Sequence, residues 1–127
     1  MPKYSERSNH NLDTAHPLLQ TLFNEVIKHR DCSVLCGHRG ETEQNKAYNK
    51  GNSKVRWPKG RHNSMPSLAV DVAPFPINWE DKQRFLEFSE FVKGVAAGLK
   101  IPIKWGGDFY GFFDGPHWEL IIDEKGE

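Results

Sequence analysis

The chain has 127 residues, enough for one domain around a single core and too few for two ordinary ones. Lys and Arg total 17, as do Asp and Glu, so the formal net charge is +0 and no general electrostatic pull toward nucleic acid or an anionic membrane is expected. No apolar stretch approaches the ~20 residues of a bilayer span, and the segment Met1-Pro2-Lys3-Tyr4-Ser5-Glu6-Arg7 lacks the apolar centre of a signal peptide, which predicts synthesis in the cytoplasm.

Residues 1–11 are polar and read as a flexible arm. Pro17 then opens an amphipathic run with Leu18, Leu19, Leu22, Phe23, Val26 and Ile27. That spacing is helical, Pro suits a first turn, and the helix should end near His29-Arg30-Asp31. Ser33-Val34-Leu35-Cys36 reads as a short buried strand, ended by Gly37-His38-Arg39-Gly40. On a strand Cys32 and Cys36 share a face but lie too far apart to be bridged. No further Cys completes a thiolate metal site, so both are read as buried free thiols in a reducing compartment.

Thr42 is placed to cap a second, polar helix through Tyr48, closed by Gly51. Residues 52–66 form a long loop rich in Gly, Pro, Ser and Lys, and a loop that long in a compact domain is usually functional or disordered. Its charges Lys54, Arg56, Lys59 and Arg61 read as a solvated face. Leu68 to Val72 is a strand, stopped by Pro74 and Pro76. Asn78 is expected to cap a third helix running to about Leu99, with Phe85, Phe88, Phe91, Val92, Val95, Ala96 and Leu99 as its buried stripe. A strand over 101–105, a turn at Gly106-Gly107-Asp108 and a final strand from His117 to Ile122 complete the chain. The pattern predicts a single α+β domain over 1–127, with a small, mainly antiparallel sheet flanked by about three helices.

Asp71 is the informative residue. A carboxylate between Val70 and Val72 is costly to bury without a cation. His62 in the preceding loop and His117 at the start of the last strand offer imidazoles toward the same sheet edge. Each alone has an ordinary reading, as a surface histidine, a strand-end cap or a satisfied core residue. Together they are two nitrogens and a carboxylate with one position open, the ligand set of a catalytic zinc site. Asp114 lies three residues before His117 across a Gly-Pro turn and is the candidate general base. Glu119 shares a strand face with His117 and is read as a group supporting that ligand. Arg39, between Gly37 and Gly40, suits a substrate carboxylate or an oxyanion as well as it suits plain solvent.

These residues resemble the D-alanyl-D-alanine carboxypeptidase / L-alanyl-D-glutamate endopeptidase group of zinc peptidases, which includes phage endolysins and shares its fold with the Hedgehog signalling domain. The matching segments are Gly60-Arg61-His62, then Ser67-Leu68-Ala69-Val70-Asp71, then Asp114-Gly115-Pro116-His117. Arg39 followed by Gln44 on a helix also matches, and Ala69 to Pro74 and Trp105-Gly106-Gly107-Asp108 are similar to the phage branch. The resemblance covers roughly residues 16 to 122. There are departures: eight residues separate His62 from Asp71, more than the commoner family spacing, Gly60 stands where a Ser is usual, and Ser67 stands where a Gly is usual.

The resemblance implies a Hedgehog/DD-peptidase-like fold and zinc held by His62, Asp71 and His117. It makes Asp114 the base and Arg39 a contact to substrate or transition state, with Gln44, Ser67, Asp108 and Glu119 as further substrate-binding or supporting residues. The implied activity is cleavage of the peptidoglycan stem peptide, as an L-alanyl-D-glutamate endopeptidase of endolysin type. The alternatives are a D-alanyl-D-alanine carboxypeptidase or a non-catalytic metal-stabilised binding module. A monomer is expected, reaching the cell wall through a separate pore, with no nucleic-acid partner and no membrane insertion.

Overall fold

The computed structural model describes residues 2–122. Four helices surround one four-stranded sheet: α1 (Glu6–Asp13), α2 (Pro17–Val26), β1 (Cys32–Cys36), α3 (Glu41–Asn49), β2 (Ala69–Pro74), α4 (Lys82–Leu99), β3 (Ile103–Trp105) and β4 (His117–Leu120). Single 3-10 turns cover Arg61–Asn63 and Gly106–Asp108. The sheet order is β1-β2-β4-β3, and every pairing is antiparallel.

Strand alternation separates core from site. On β2, Val70 and Val72 enter the hydrophobic core, and on β4 so do Trp118 and Leu120. Successive side chains on a strand face opposite ways, so Asp71, His117 and Glu119 occupy the other face. The register sets Asp71 opposite His117 and Ala69 opposite Glu119. Leu19, Leu22, Phe23 and Val26 of α2 pack with Phe85, Phe88, Val92 and Ala96 of α4 against the core face. Burial of this apolar area is the main stabilising term of the fold.

The expected arm over 1–11 is instead largely helix α1. Its Ser5 caps the helix by accepting from the Ser8 N–H at 3.1 Å. Ser8 Oγ accepts from the Val34 N–H at 3.0 Å, and Asn11 Nδ2 donates to the Val34 carbonyl at 2.9 Å. An exposed strand edge leaves such backbone groups unpaired. The polar residues that looked like an arm are therefore partners for edge strand β1, and Leu12 anchors the helix in the core.

Three smaller expectations also change. Helix α3 starts one residue before Thr42, with Gly40 as its cap and Glu43 Oε1 accepting from the Gly40 N–H at 3.3 Å. Helix α4 is capped by Asp81, which accepts from the Arg84 N–H at 3.1 Å, while Asn78 closes a local turn to the Glu80 N–H. At both helix starts a carboxylate accepts from a backbone N–H, an arrangement that the helix dipole favours. Finally, Leu99 of the expected buried stripe is exposed.

Candidate metal centre

One donor atom each from His62, Asp71 and His117 lies within 4.8 Å of the others. Asp71 Oδ1 is 3.3 Å from His62 Nε2 and 3.5 Å from His117 Nδ1. His62 arrives on the 3-10 turn over 61–63, which is tied to the β1–α3 connection by the Arg39 N–H donating to the His62 carbonyl at 2.8 Å. The eight-residue spacing to Asp71 is thus absorbed in the 52–68 loop, and the ring still reaches the strand face.

The outer nitrogen of each imidazole is spoken for. His62 Nδ1 lies 2.7 Å from the Gly37 carbonyl, and a carbonyl only accepts, so Nδ1 carries the proton. In the neutral ring His62 Nε2 therefore presents a lone pair, and this buried atom has only the Asp71 carboxylate, at 3.3 Å, to face. His117 Nε2 lies 2.8 Å from Glu119 Oε1, so it donates there and leaves Nδ1 facing Asp71. An outer partner that fixes the tautomer is the usual support for a metal-binding imidazole. Two imidazole nitrogens converging on one carboxylate fit a divalent cation, and this donor set can hold one.

Charge in the metal-free cluster follows from these contacts. Burial pulls the His62 imidazolium down, but the Asp71 carboxylate outweighs it and raises the pKa above the ordinary value. Burial likewise opposes charge on His117, and its contacts to Asp71 and Glu119 raise it overall. Burial works against ionised Asp71, yet His62 and His117 hold the carboxyl well below the usual range. A metal must therefore displace protons from imidazoles that hold them more tightly than usual. Calorimetric metal titration in buffers of different ionisation enthalpy should show net proton release at pH 7. Apparent affinity should fall by about tenfold per pH unit for each imidazole titrated below its raised pKa. Binding without proton release would contradict this charge state.

Asp114 stands beside the cluster, its Oδ2 4.0 Å from His117 Nδ1. Burial pushes its carboxyl above the ordinary value, and the Asp71 charge adds to the effect. Its loop is held closely. The Asp114 N–H donates to the Gly106 carbonyl at 3.0 Å, the His117 N–H donates to the Asp114 carbonyl at 3.2 Å, and Trp105 Nε1 donates to the Gly115 carbonyl at 2.7 Å. Gly106 is required by this packing, since a Cβ there would run into the Asp114 backbone and the His117 side chain.

Arg39 does reach the cluster. Its Nη2 donates to Asp71 Oδ2 at 3.4 Å and its Nη1 to Gln44 Oε1 at 3.1 Å. Gln44 is buried and also accepts from Asn63 Nδ2 at 3.0 Å. Glu119 supports His117 and is itself held by Arg61 Nε at 3.6 Å. Burial raises the Glu119 carboxyl, but His117 and then Arg61 outweigh it, so its pKa lies below the ordinary value. Glu119→Gln should weaken metal binding by about 10–100-fold without unfolding the protein. Competition against a chromophoric chelator, with circular dichroism as the folding control, checks this.

Two expected residues lie elsewhere. Ser67 is fully buried, its hydroxyl donating to the Ala69 carbonyl at 2.9 Å, and its backbone bonds join β2 to the α1–α2 connection. Asp108 pairs with Lys93 at 2.8 Å on an exposed surface. Both lie outside the cleft lining. Arg61, expected to be a solvated charge, instead donates to the Leu120 carbonyl and to the Ile122 carbonyl at 2.6 Å, and pairs with Glu119. The Gly37 carbonyl and Asn63 are further supports that the sequence signalled only by adjacency, to Arg39 and His62 respectively.

The cluster sits in a cleft of about 770 Å³. Residues 39–62 line it with polar and basic groups, and residues 79–113 with the aromatics Trp79, Phe85, Phe109, Phe112 and Phe113. The cysteines are both free, Cys32 buried and Cys36 partly exposed.

The family model for phage L-alanyl-D-glutamate peptidase matches residues 1–121. The crystal structure of the Serratia marcescens L-Ala D-Glu endopeptidase ChiX is similar, with a TM-score of 0.78 and 27% sequence identity, over 93% of this chain and 90% of that one.

Proposed function

The chain belongs to the phage L-alanyl-D-glutamate peptidase family, hydrolases acting on peptidoglycan, and on that premise we propose a zinc-dependent endopeptidase that cuts the L-Ala–D-Glu bond of the stem peptide. The observation that carries the metal assignment is the convergence of one donor atom each from His62, Asp71 and His117 within 4.8 Å of one another, with His62 Nε2 buried 3.3 Å from Asp71 Oδ1. Two imidazole nitrogens and one carboxylate oxygen suit zinc with a position left for water.

Bound by His62, Asp71 and His117, zinc would supply Lewis acidity to a water and to the scissile carbonyl. The remaining work falls to the chain. Asp114 accepts a proton from the attacking water and returns it to the departing amine of D-glutamate. Its raised pKa suits both directions of transfer, because a carboxylate closer to the working pH is a better base and a better acid in turn. Arg39 holds the second oxygen of Asp71 and lines the same cleft, where its guanidinium is expected to meet the developing negative charge. Gln44 orients Arg39. The aromatic lining limits water around the bond. A bound metal without chemistry would not call for a carboxylate in the position of Asp114, which favours the enzyme over a binding module.

We further propose that the protein acts as a monomer on the cell wall, after release through a separate pore. No helix among the described residues is long and apolar enough to cross a membrane. Mass spectrometry of purified sacculi digested with the zinc-loaded protein tests the reading. New N-terminal D-glutamate is expected. Free D-alanine instead would make it a carboxypeptidase, and undigested walls would end the peptidase assignment.

A further inference from the structure

The endopeptidase reading, on which this inference rests, puts a D-glutamyl residue on the departing side of the bond. Whichever carboxyl of glutamate carries the chain onward, the other stays free and ionised close to the site of attack. A cleft that reads this residue needs a cation without another partner.

Four cationic side chains line the cleft: Arg39, Lys54, Lys59 and Arg61. Arg39 is committed to Asp71 and Gln44. Arg61 is committed to Glu119 and to the carbonyls of Leu120 and Ile122. Lys54 and Lys59 pair with no carboxylate among the described residues.

Both lysines are tied to the metal centre. Gln44 Nε2 donates to Ser53 Oγ at 2.8 Å and to the Val55 carbonyl at 2.6 Å, so the buried amide that orients Arg39 also pins the loop carrying Lys54. Lys54 Nζ sits 5.2 Å from the Phe112 ring centroid, which steadies the ammonium without neutralising it. Lys59 precedes ligand His62 by three residues, in a turn closed by its own N–H to the Arg56 carbonyl at 2.9 Å and by the Gly60 N–H to Asn63 Oδ1 at 2.8 Å. A lysine reads a lone carboxylate as a point charge and does not need the fork geometry of arginine.

We propose that Lys54 and Lys59 form the subsite for the free carboxylate of the D-glutamyl residue, and that the enzyme therefore discriminates against stem peptides amidated at that position.

The test uses two synthetic stem peptides, alike except that the residue after L-alanine carries either the free carboxylate or its amide. Zinc-loaded wild type and Lys54→Ala/Lys59→Ala are compared by kcat/KM, with Lys54→Arg/Lys59→Arg as the charge-preserving variant and thermal melting as the folding control. An exposed charge pair is worth less than one power of ten, so two together give wild type a preference of about tenfold for the carboxylate peptide. The double alanine variant should bring that ratio near one, and the double arginine variant should keep most of it. A wild-type ratio near one overturns the subsite while the peptidase reading stands. So does a ratio that the alanine variant leaves intact. If wild type cuts neither peptide after L-alanine, the peptidase reading fails and the subsite falls with it.

Discussion

Asp114→Ala should lower kcat by about 10²–10⁴-fold, the usual worth of a positioned general base, while leaving metal binding near wild type. The two readouts separate because Asp114 Oδ2 is 4.0 Å from His117 Nδ1 and is no member of the His62–Asp71–His117 cluster. The backbone around residue 114 is held by the Gly106 carbonyl and by the bond from the His117 N–H, neither of which needs the carboxylate. Removing the side chain therefore should not release the loop. Steady-state rates on purified walls and metal analysis of the same preparation check the prediction. A variant that cuts as fast as wild type would remove Asp114 from the chemistry. A variant that also loses its metal would make Asp114 a ligand.

Asp71→Asn should all but abolish metal loading, by more than the ~100-fold lost when only an outer supporting group is removed, and activity should go with it. The substitution keeps shape and removes the charge that faces His62, His117 and Arg39 at once. Breaking one partner out of a buried ionic cluster costs about 3–5 kcal/mol, and the lower end applies because both imidazoles can shed a proton in response. Metal content after dialysis and chemical denaturation of the metal-free protein measure the two effects. Wild-type metal content in Asp71→Asn would show that the cluster is an ion-pair network and that the metal, if any, binds elsewhere.

The parts of the site legible in the sequence are those set by local rules. Asp71 stood out because a strand of Val, Ala and Pro has no reason to carry a lone carboxylate. Glu119 could be assigned beside His117 because residues two apart on a strand share a face, and the structure has the two side chains in contact at 2.8 Å. The cap positions were near misses: Asn78 does accept from a backbone N–H, that of Glu80, but the helix itself begins later, at the Asp81 cap.

Other features depend on residues far apart in the chain. The polar segment before residue 12 carries no sign that its Ser8 and Asn11 will pair with Val34. Arg61 looks like its neighbours Lys59 and Arg56, yet it alone meets the carbonyls at the end of β4. Ser67 and Asp108 lay close in sequence to the right motifs, and the fold turns one into the core and pairs the other with Lys93.

By itself, then, the sequence determined the α+β class, the identity of the metal-ligand candidates and the choice of Asp114, three residues before His117, as the candidate base. These follow from side-chain chemistry and from periodicities that span a few residues. Only the tertiary structure decided which nitrogen of each histidine faces Asp71, and which cations in the cleft are already committed to partners. Those depend on what lies across the cleft, such as the Gly37 carbonyl for His62 and Asp71 for Arg39. Antiparallel pairing and loop packing set such neighbours over tens of residues, and no local pattern in the chain encodes them.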